Sequence, residues 1–173
     1  MKKFHNPYVY CPKCQSDMQP GAQGYNSCSS TTCSFVQYEN PTPVVAAVVE
    51  YGDRQVVLGH NKLWPKEWYA LITGFVEMYE DPAYTVIREV KEEIGLDGEI
   101  ISFIGHYTFK RMNQLIIAYH VKATGEIILD DEIDDVKIVP FDKVKYWPAG
   151  TGYALRDLLL SLGYSPVEAA FTK

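Results

Sequence analysis

Glu80, Arg88, Glu89, Glu92 and Glu93 crowd one short stretch of this chain, GFVEMYEDPAYTVIREVKEEIGL, residues 74–96. Carboxylates grouped in this way are hard oxygen ligands of the kind Mg²⁺ and Mn²⁺ take, commonly with phosphate oxygens completing the shell. A solvated acidic face is the ordinary alternative for a run of charge. The arrangement of the element that carries these residues decides between the two.

That element reads as a helix from about Pro82 to Ile94. Asp81 suits the N-cap, Pro82 the first helical position, and Gly95 the left-handed residue that closes the far end. At about 100° per residue, Ala83, Val86, Ile87, Val90 and Ile94 form one apolar stripe. Glu89, Glu92 and Glu93 share an arc well away from it, so the stripe is expected to bury and the carboxylates to face outward. Glu89 has like charges three and four positions on, each pair costing about 0.2–0.5 kcal/mol. Glu92 and Glu93 also lie at the C-terminal end, where the helix dipole disfavours anions. A divalent cation relieves both penalties.

The spacing itself is a signature. Gly74, five residues, Glu80, seven residues, Arg88-Glu89-Val90, one residue, Glu92-Glu93, one residue, Gly95-Leu96 resembles a complete Nudix box.

Composition bounds what surrounds it. The chain has 173 residues, 47% hydrophobic and 22% charged, enough for one domain with a full core and a small appendage. A net charge of −6 does not suit a protein that coats nucleic acid, which needs a basic surface. The opening MKKFHNPYVY has no apolar segment of the signal-peptide kind, and no run of 18 apolar residues follows, so a cytoplasmic protein without a membrane span is expected.

The 4 cysteines fall in two close pairs, Cys11 with Cys14 and Cys28 with Cys33. In a reducing compartment such pairs point to a tetrahedral, structural Cys₄ zinc site, and residues 1–40 resemble a zinc ribbon. Two disulfides, or unpaired thiols, are the alternatives. So short a segment cannot bury a core of its own, and metal binding would supply its folding free energy. With Lys2, Lys3 and Lys13 set against Asp17 and Glu39, it carries no marked basic patch.

Glu39–Pro43, with two prolines, reads as a linker. Val44–Val49 is a buried strand and Gln55–Gly59 its partner across a Gly52-Asp53 turn. The loop NKLWPKEWY, residues 61–69, offers Trp64, Trp68 and Tyr69 either to stack on a base or to pack the sheet edge, and packing is the commoner role. Ala70–Val76 leads into the box as a strand. Further strands are expected at Glu99–Phe109, Gln114–Ala123 and Val136–Pro140. Lys110 and Arg111 sit in the connection between the first two of these, where Arg111 suits bidentate contact with phosphate. Within the acidic run at residues 130–135, Glu132 is the carboxylate expected to reach the metal cluster. Tyr153–Leu162 reads as a closing helix, capped by Thr151 or Gly152, and residues 166–173 as a tail.

Taken together, the order of these elements is similar to the zinc-containing NADH pyrophosphatase branch of the Nudix hydrolases. The resemblance implies an α/β/α sandwich around a mixed sheet at residues 41–165. It further implies hydrolysis of a nucleoside diphosphate linked to another moiety, of the ADP-ribose, NADH or FAD type. By position, Glu89, Glu92 and Glu93 would ligate Mg²⁺ or Mn²⁺, with Gly74 offering its carbonyl. Glu80 and Arg88 would brace loop and helix, Phe75 would stack on a substrate ring, and Glu132 would act as a late ligand or base. Relatives of this type are often homodimers, and capped RNA is the one nucleic acid that fits the chemistry. The branch signature SQPWPFP is absent: residues 106–112 read HYTFKRM, which leaves the substrate open within that class. A nucleotide-sensing or partner-binding module on the same fold is the rival reading.

Overall fold

A computed structural model describes residues 8–21 and 24–169 of the chain. Lys2 and Lys3, and residues 170–173 of the expected tail, lie outside them. The chain divides into two compact units, Met1–Pro41 and Thr42–Lys173.

The smaller unit is an antiparallel sheet of three short strands, β1 (Met18–Pro20), β2 (Asn26–Cys28) and β3 (Val36–Gln37), in the order β1-β2-β3. Among the described residues, its buried apolar ones are Cys11 and Cys28, so the cysteines stand where a larger domain would have a hydrophobic core.

The larger unit is built on β4 (Thr42–Tyr51), whose run TPVVAAVVEY is buried from Val44 to Glu50. Such continuity marks a strand covered on both faces. Along one edge β4 pairs in parallel with β8 (Gln114–Thr124). Along the other it pairs antiparallel first with β6 (Ile72–Phe75), through Val44–Ala47, and then with β5 (Gln55–Asn61), through Val49 and Glu50. β7 (Asp97–Phe109) and β9 (Ile133–Pro140) complete a mixed six-stranded sheet of order β7-β8-β4-β5-β9.

Alternation along β4 sorts its side chains between two helices. Val45, Ala47 and Val49 pack with Val86, Val90 and Ile94 of α1 (Pro82–Ile94). Ala46 and Val48 pack with Ala154, Leu155, Leu158 and Leu159 of α2 (Thr151–Ser161). The result is the α/β/α sandwich around a mixed sheet. Each fully buried Val or Leu contributes up to about 1.5–3 kcal/mol, enough to fix the orientation of α1 against the sheet.

Several boundaries differ from the sequence reading. β4 begins inside the expected linker: Pro43 lacks an N–H, but its carbonyl accepts from the Val76 N–H at 3.3 Å. Gly150, not Thr151 or Gly152, is the N-cap of α2. Gly152 lies in the first turn, where a Cβ would meet the Trp147 carbonyl oxygen at 1.9 Å. The expected tail includes a short strand, β11 (Val167–Glu168), paired in parallel with β10 (Lys145–Tyr146). Among the described residues, no helix is long and apolar enough to cross a membrane.

Candidate active site

α1 is fixed at both ends before its charges are considered. Asp81 Oδ1 accepts from the Ala83 N–H at 2.8 Å, and Gly95, at φ 74°, closes the helix with its N–H on the Lys91 carbonyl. The last carbonyls, which have no partner within the helix, accept from the segment that follows β8. The Ile128 N–H donates to Ile94 O at 3.1 Å and the Asp130 N–H to Glu93 O at 3.2 Å. Asp130 Oδ1 then accepts from the backbone N–H groups of Glu132 and Ile133, at 2.8 and 3.0 Å. This turn carries Glu132 back toward Glu93.

The carboxylates do not all look outward. Glu89 enters the sheet layer at Gly74, where a Cβ would fall 1.8 Å from its Cδ. Only a glycine leaves that space. Desolvation there raises the Glu89 pKa, against the pull of Arg88. Glu93 is half-buried, and desolvation, reinforced by Glu89, Asp130, Glu132 and Glu92, pushes its carboxyl up to about 8. Glu92, its side chain 58% exposed, is the outward member.

Arg88 supplies the balancing charge. Its guanidinium donates twice to Glu80, Nε to Oε1 and Nη2 to Oε2, both at 2.9 Å. Its Nη1 lies 2.9 Å from Glu89 Oε1 and 2.8 Å from Glu92 Oε2. Glu80 accepts further bonds from the Glu77 N–H at 3.1 Å and from Thr85 Oγ1 at 2.9 Å. Arg88 above all holds the Glu80 carboxyl down to about 2. One arginine thus joins the loop to the helix and spaces two of the acidic groups. Thr85 is an overlooked member of this bracket: it is fully buried, and a polar residue flanking the apolar stripe was the available signal.

Beside Glu93 a cavity of about 120 Å³ is lined by Gly59, Asn61, Trp64, Leu71, Ile72, Thr73, Glu93, Glu132 and Ile133. Asn61 and Thr73 are contributions that no motif announced. Trp64 and Trp68 are 40% and 53% exposed, while Tyr69 alone of the three aromatic residues packs on the core beneath α2. Phe75 is 58% exposed, and Arg88 Nη2 donates to its carbonyl at 3.4 Å. Lys110 and Arg111 occupy a 3-10 turn, Lys110–Met112, and are exposed. Pairing of Gln114 with Thr42 and of Phe75 with Val44 sets that turn toward the same end of the sheet as Phe75. Among the described residues, neither cation pairs with a carboxylate.

In the smaller unit, the ligand atoms of Cys11, Cys14, Cys28 and Cys33 all lie within 4.8 Å of one another. Sγ of Cys11 is 3.7 Å from that of Cys33, and Sγ of Cys14 is 3.4 Å from that of Cys28. These separations are too long for S–S bonds, and all four cysteines are free. They approach the roughly 3.8 Å edge of a tetrahedron whose centre binds sulfur at about 2.3 Å, so the set fits a metal ion of the zinc type.

Comparison with known proteins agrees with this geometry. Residues 40–158 match the model of the NUDIX domain. The chain is 30% identical over 157 residues to the NAD-capped RNA hydrolase NudC of Pseudomonas aeruginosa, covering 88% of this chain and 55% of that protein. It is 26% identical over 150 residues to NudC of Mannheimia succiniciproducens, covering 83% and 56%. The chain thus spans about half the length of these curated relatives. Among solved structures, a NUDIX hydrolase from Nitrosomonas europaea superposes with a TM-score of 0.73 at 18% identity, over 94% of this chain and 97% of that one. An ADP-ribose pyrophosphatase from Streptococcus suis gives a TM-score of 0.58 at 18% identity, over 75% and 97%.

Proposed function

The chain belongs to the NUDIX family, and from that premise we propose that it is a metal-dependent pyrophosphohydrolase acting on a nucleoside diphosphate linked to another group, with water attacking phosphorus. The observation that carries this reading is the setting of Glu93, a half-buried carboxyl facing Glu89, Glu92, Asp130 and Glu132. Arg88, the cation that pairs with Glu89 and Glu92, is bound also to Glu80. So much negative charge at one place is stabilised by a divalent cation, and the all-oxygen donor set suits Mg²⁺ or Mn²⁺.

Glu89, Glu92 and Glu93 would hold the ion, with the Gly74 carbonyl as a further ligand. When bound, such an ion neutralises the diphosphate and lowers the pKa of a coordinated water. The chain's own residues do the rest. Glu89 or Glu92 orients the water and takes its proton, and Glu132, which lines the same cavity as Glu93, is a further base or ligand. Arg88 and Glu80 keep the loop and helix in register, so that charge developing on the leaving phosphate meets a preorganised site. Phe75 stacks on a ring of the substrate, and Lys110 and Arg111 meet its outer phosphate or ribose. In the smaller unit, the cysteine cluster would hold zinc as a structural ion.

The substrate class is the ADP-ribose, NADH or FAD type, with NAD-capped RNA added by the names of the relatives. The test is direct: the purified chain with Mg²⁺ or Mn²⁺ is given each of these in H₂¹⁸O. Release of AMP or another nucleoside monophosphate, with one ¹⁸O on a phosphate product, is the expected result. No turnover of any of them, with both metals present, would refute the reading.

A further inference from the structure

His60 ends the regular part of β5 and is buried, 6% exposed, yet none of the chemistry above uses it. Both of its ring nitrogens face acceptors. Nδ1 lies 2.5 Å from Asp134 Oδ1 and Nε2 lies 3.2 Å from the Pro65 carbonyl oxygen. A carbonyl oxygen can only accept, and an ionised carboxylate likewise. The ring satisfies both contacts only when both nitrogens carry protons.

The two acceptors belong to different segments. Pro65 is at the middle of the 62–69 loop, whose base is closed by reciprocal bonds between Gly59 and Ala70 at 2.9 and 3.0 Å. Between these ends the loop is exposed from 62 to 68. Asp134 is on β9, immediately after Glu132 and Ile133. The Lys62 N–H adds a bond to the Glu132 carbonyl at 3.1 Å. Asn61, the last residue of β5 and the partner of Ile133 in the sheet, and Trp64 of the loop line the cavity beside Glu93 together with Glu132 and Ile133. One buried side chain therefore meets both the loop that carries Trp64 and the strand β9.

We propose that His60 is a positioning residue for the reaction: with both nitrogens protonated, it latches the 62–69 loop to β9 and so holds Trp64 at the cavity that Glu93 and Glu132 share. The inference rests on the reading that this cavity is part of the hydrolytic site. The groups around His60 favour the protonated ring. Asp134 and Asp135 face it from β9, Tyr69 lies with its ring centroid 5.3 Å away, and the Tyr69 hydroxyl donates to Asp135. Lys137 Nζ, the opposing charge, is occupied over the Tyr69 ring at 3.6 Å. The hydrogen bond to Asp134 is the main cause that raises the His60 pKa, against desolvation. Loss of the proton turns the Nε2 lone pair toward the Pro65 carbonyl, and the loop contact becomes repulsive. The latch therefore holds below the raised pKa and opens as pH climbs through it.

His60→Gln, which reaches only one acceptor, and Asp134→Asn, which removes the charge that favours the cation, test this in the full chain. The latch predicts an imidazolium NMR signature for His60 in the parent at pH 7. It predicts at least about tenfold faster amide exchange at Trp64 and Trp68 in both variants. With ADP-ribose and Mg²⁺ as the probe, KM should rise about tenfold with kcat within about twofold, a loss of binding geometry and not of chemistry. A neutral His60 ring at pH 7, or parent-like exchange in both variants, overturns the latch. Faster exchange with unchanged KM overturns its role in the reaction. Should the parent hydrolyse no anhydride at all, the fault lies with the proposed activity, and the ring signature and loop exchange still decide the latch.

Discussion

Among the described residues, the four cysteines and the carboxylates around Glu93 are clusters of ligand-type side chains built on opposite principles. In the smaller unit four thiols close on one another, their ligand atoms all within 4.8 Å, and among the described residues there Gln37 alone is buried besides Cys11 and Cys28. In the larger unit the carboxylates are set apart by a frame that is complete without them: Val86, Val90 and Ile94 are fully buried against the sheet, and Arg88 braces the helix to the loop. A closed four-sulfur set has no position left for a substrate, whereas the carboxylate set has Glu92 exposed and a cavity beside Glu93. The difference separates a cluster that takes the place of a core from a cluster that is placed by one.

Chelation breaks the comparison most sharply. Strong chelator should unfold the smaller unit, while near-ultraviolet circular dichroism and amide exchange of the larger unit persist. Added Mg²⁺ alone should then restore hydrolysis but not the ribbon. Joint collapse of both units would show that the larger frame is not self-sufficient.

Gly74→Ala attacks the frame at the point where a carboxylate enters it. The new Cβ falls 1.8 Å from Glu89 Cδ, so Glu89 must leave. Activity should drop by about 10²–10³-fold, with only about 1–3 kcal/mol lost in stability by urea unfolding. An alanine variant near the parent rate would remove Glu89 from the site.

Much of this was legible beforehand. Asp81, Pro82 and Gly95 announced both ends of α1, and the unbroken apolar run Val44–Val49 announced a buried strand, because local capping and burial dictate those features. The box spacing placed Glu80 with Arg88. What stayed hidden depends on chain pairing rather than on local pattern. Glu89 fills the place of a Gly74 side chain because β6 pairs with β4 there, and Glu132 meets Glu93 because Asp130 turns the chain back. His60 meets Pro65 only through the closure of the loop at Gly59 and Ala70. The outward set of three glutamates was the expectation that failed most clearly, since helix geometry alone does not say what lies beyond the arc.

Acid and base should report the two kinds of carboxylate with opposite slopes. Glu80, held at about 2 against an ordinary value of 4.5, contributes stability that is full above that ordinary value and is lost as pH falls through about 2. Glu93, raised to about 8 without metal, binds its proton more tightly when folded, so metal-free stability should decline as pH rises from about 4.5 to 8. Glu80→Gln should flatten the acid limb and Glu93→Gln the other, as read from thermal unfolding across pH. A single slope of one sign would mean that the two carboxyls share one environment.

The central claim is that the acidic group around Glu93 is a cation site for anhydride hydrolysis, and Glu93→Gln tests it most directly. The variant keeps the shape of the side chain and removes a half-buried acid, so its metal-free thermal midpoint should equal or exceed the parent's near pH 8. Its kcat on the best diphosphate substrate, measured with saturating Mg²⁺, should fall by about 10²–10³-fold or more. A folded Glu93→Gln protein that turns over at the parent rate would contradict the assignment of this site.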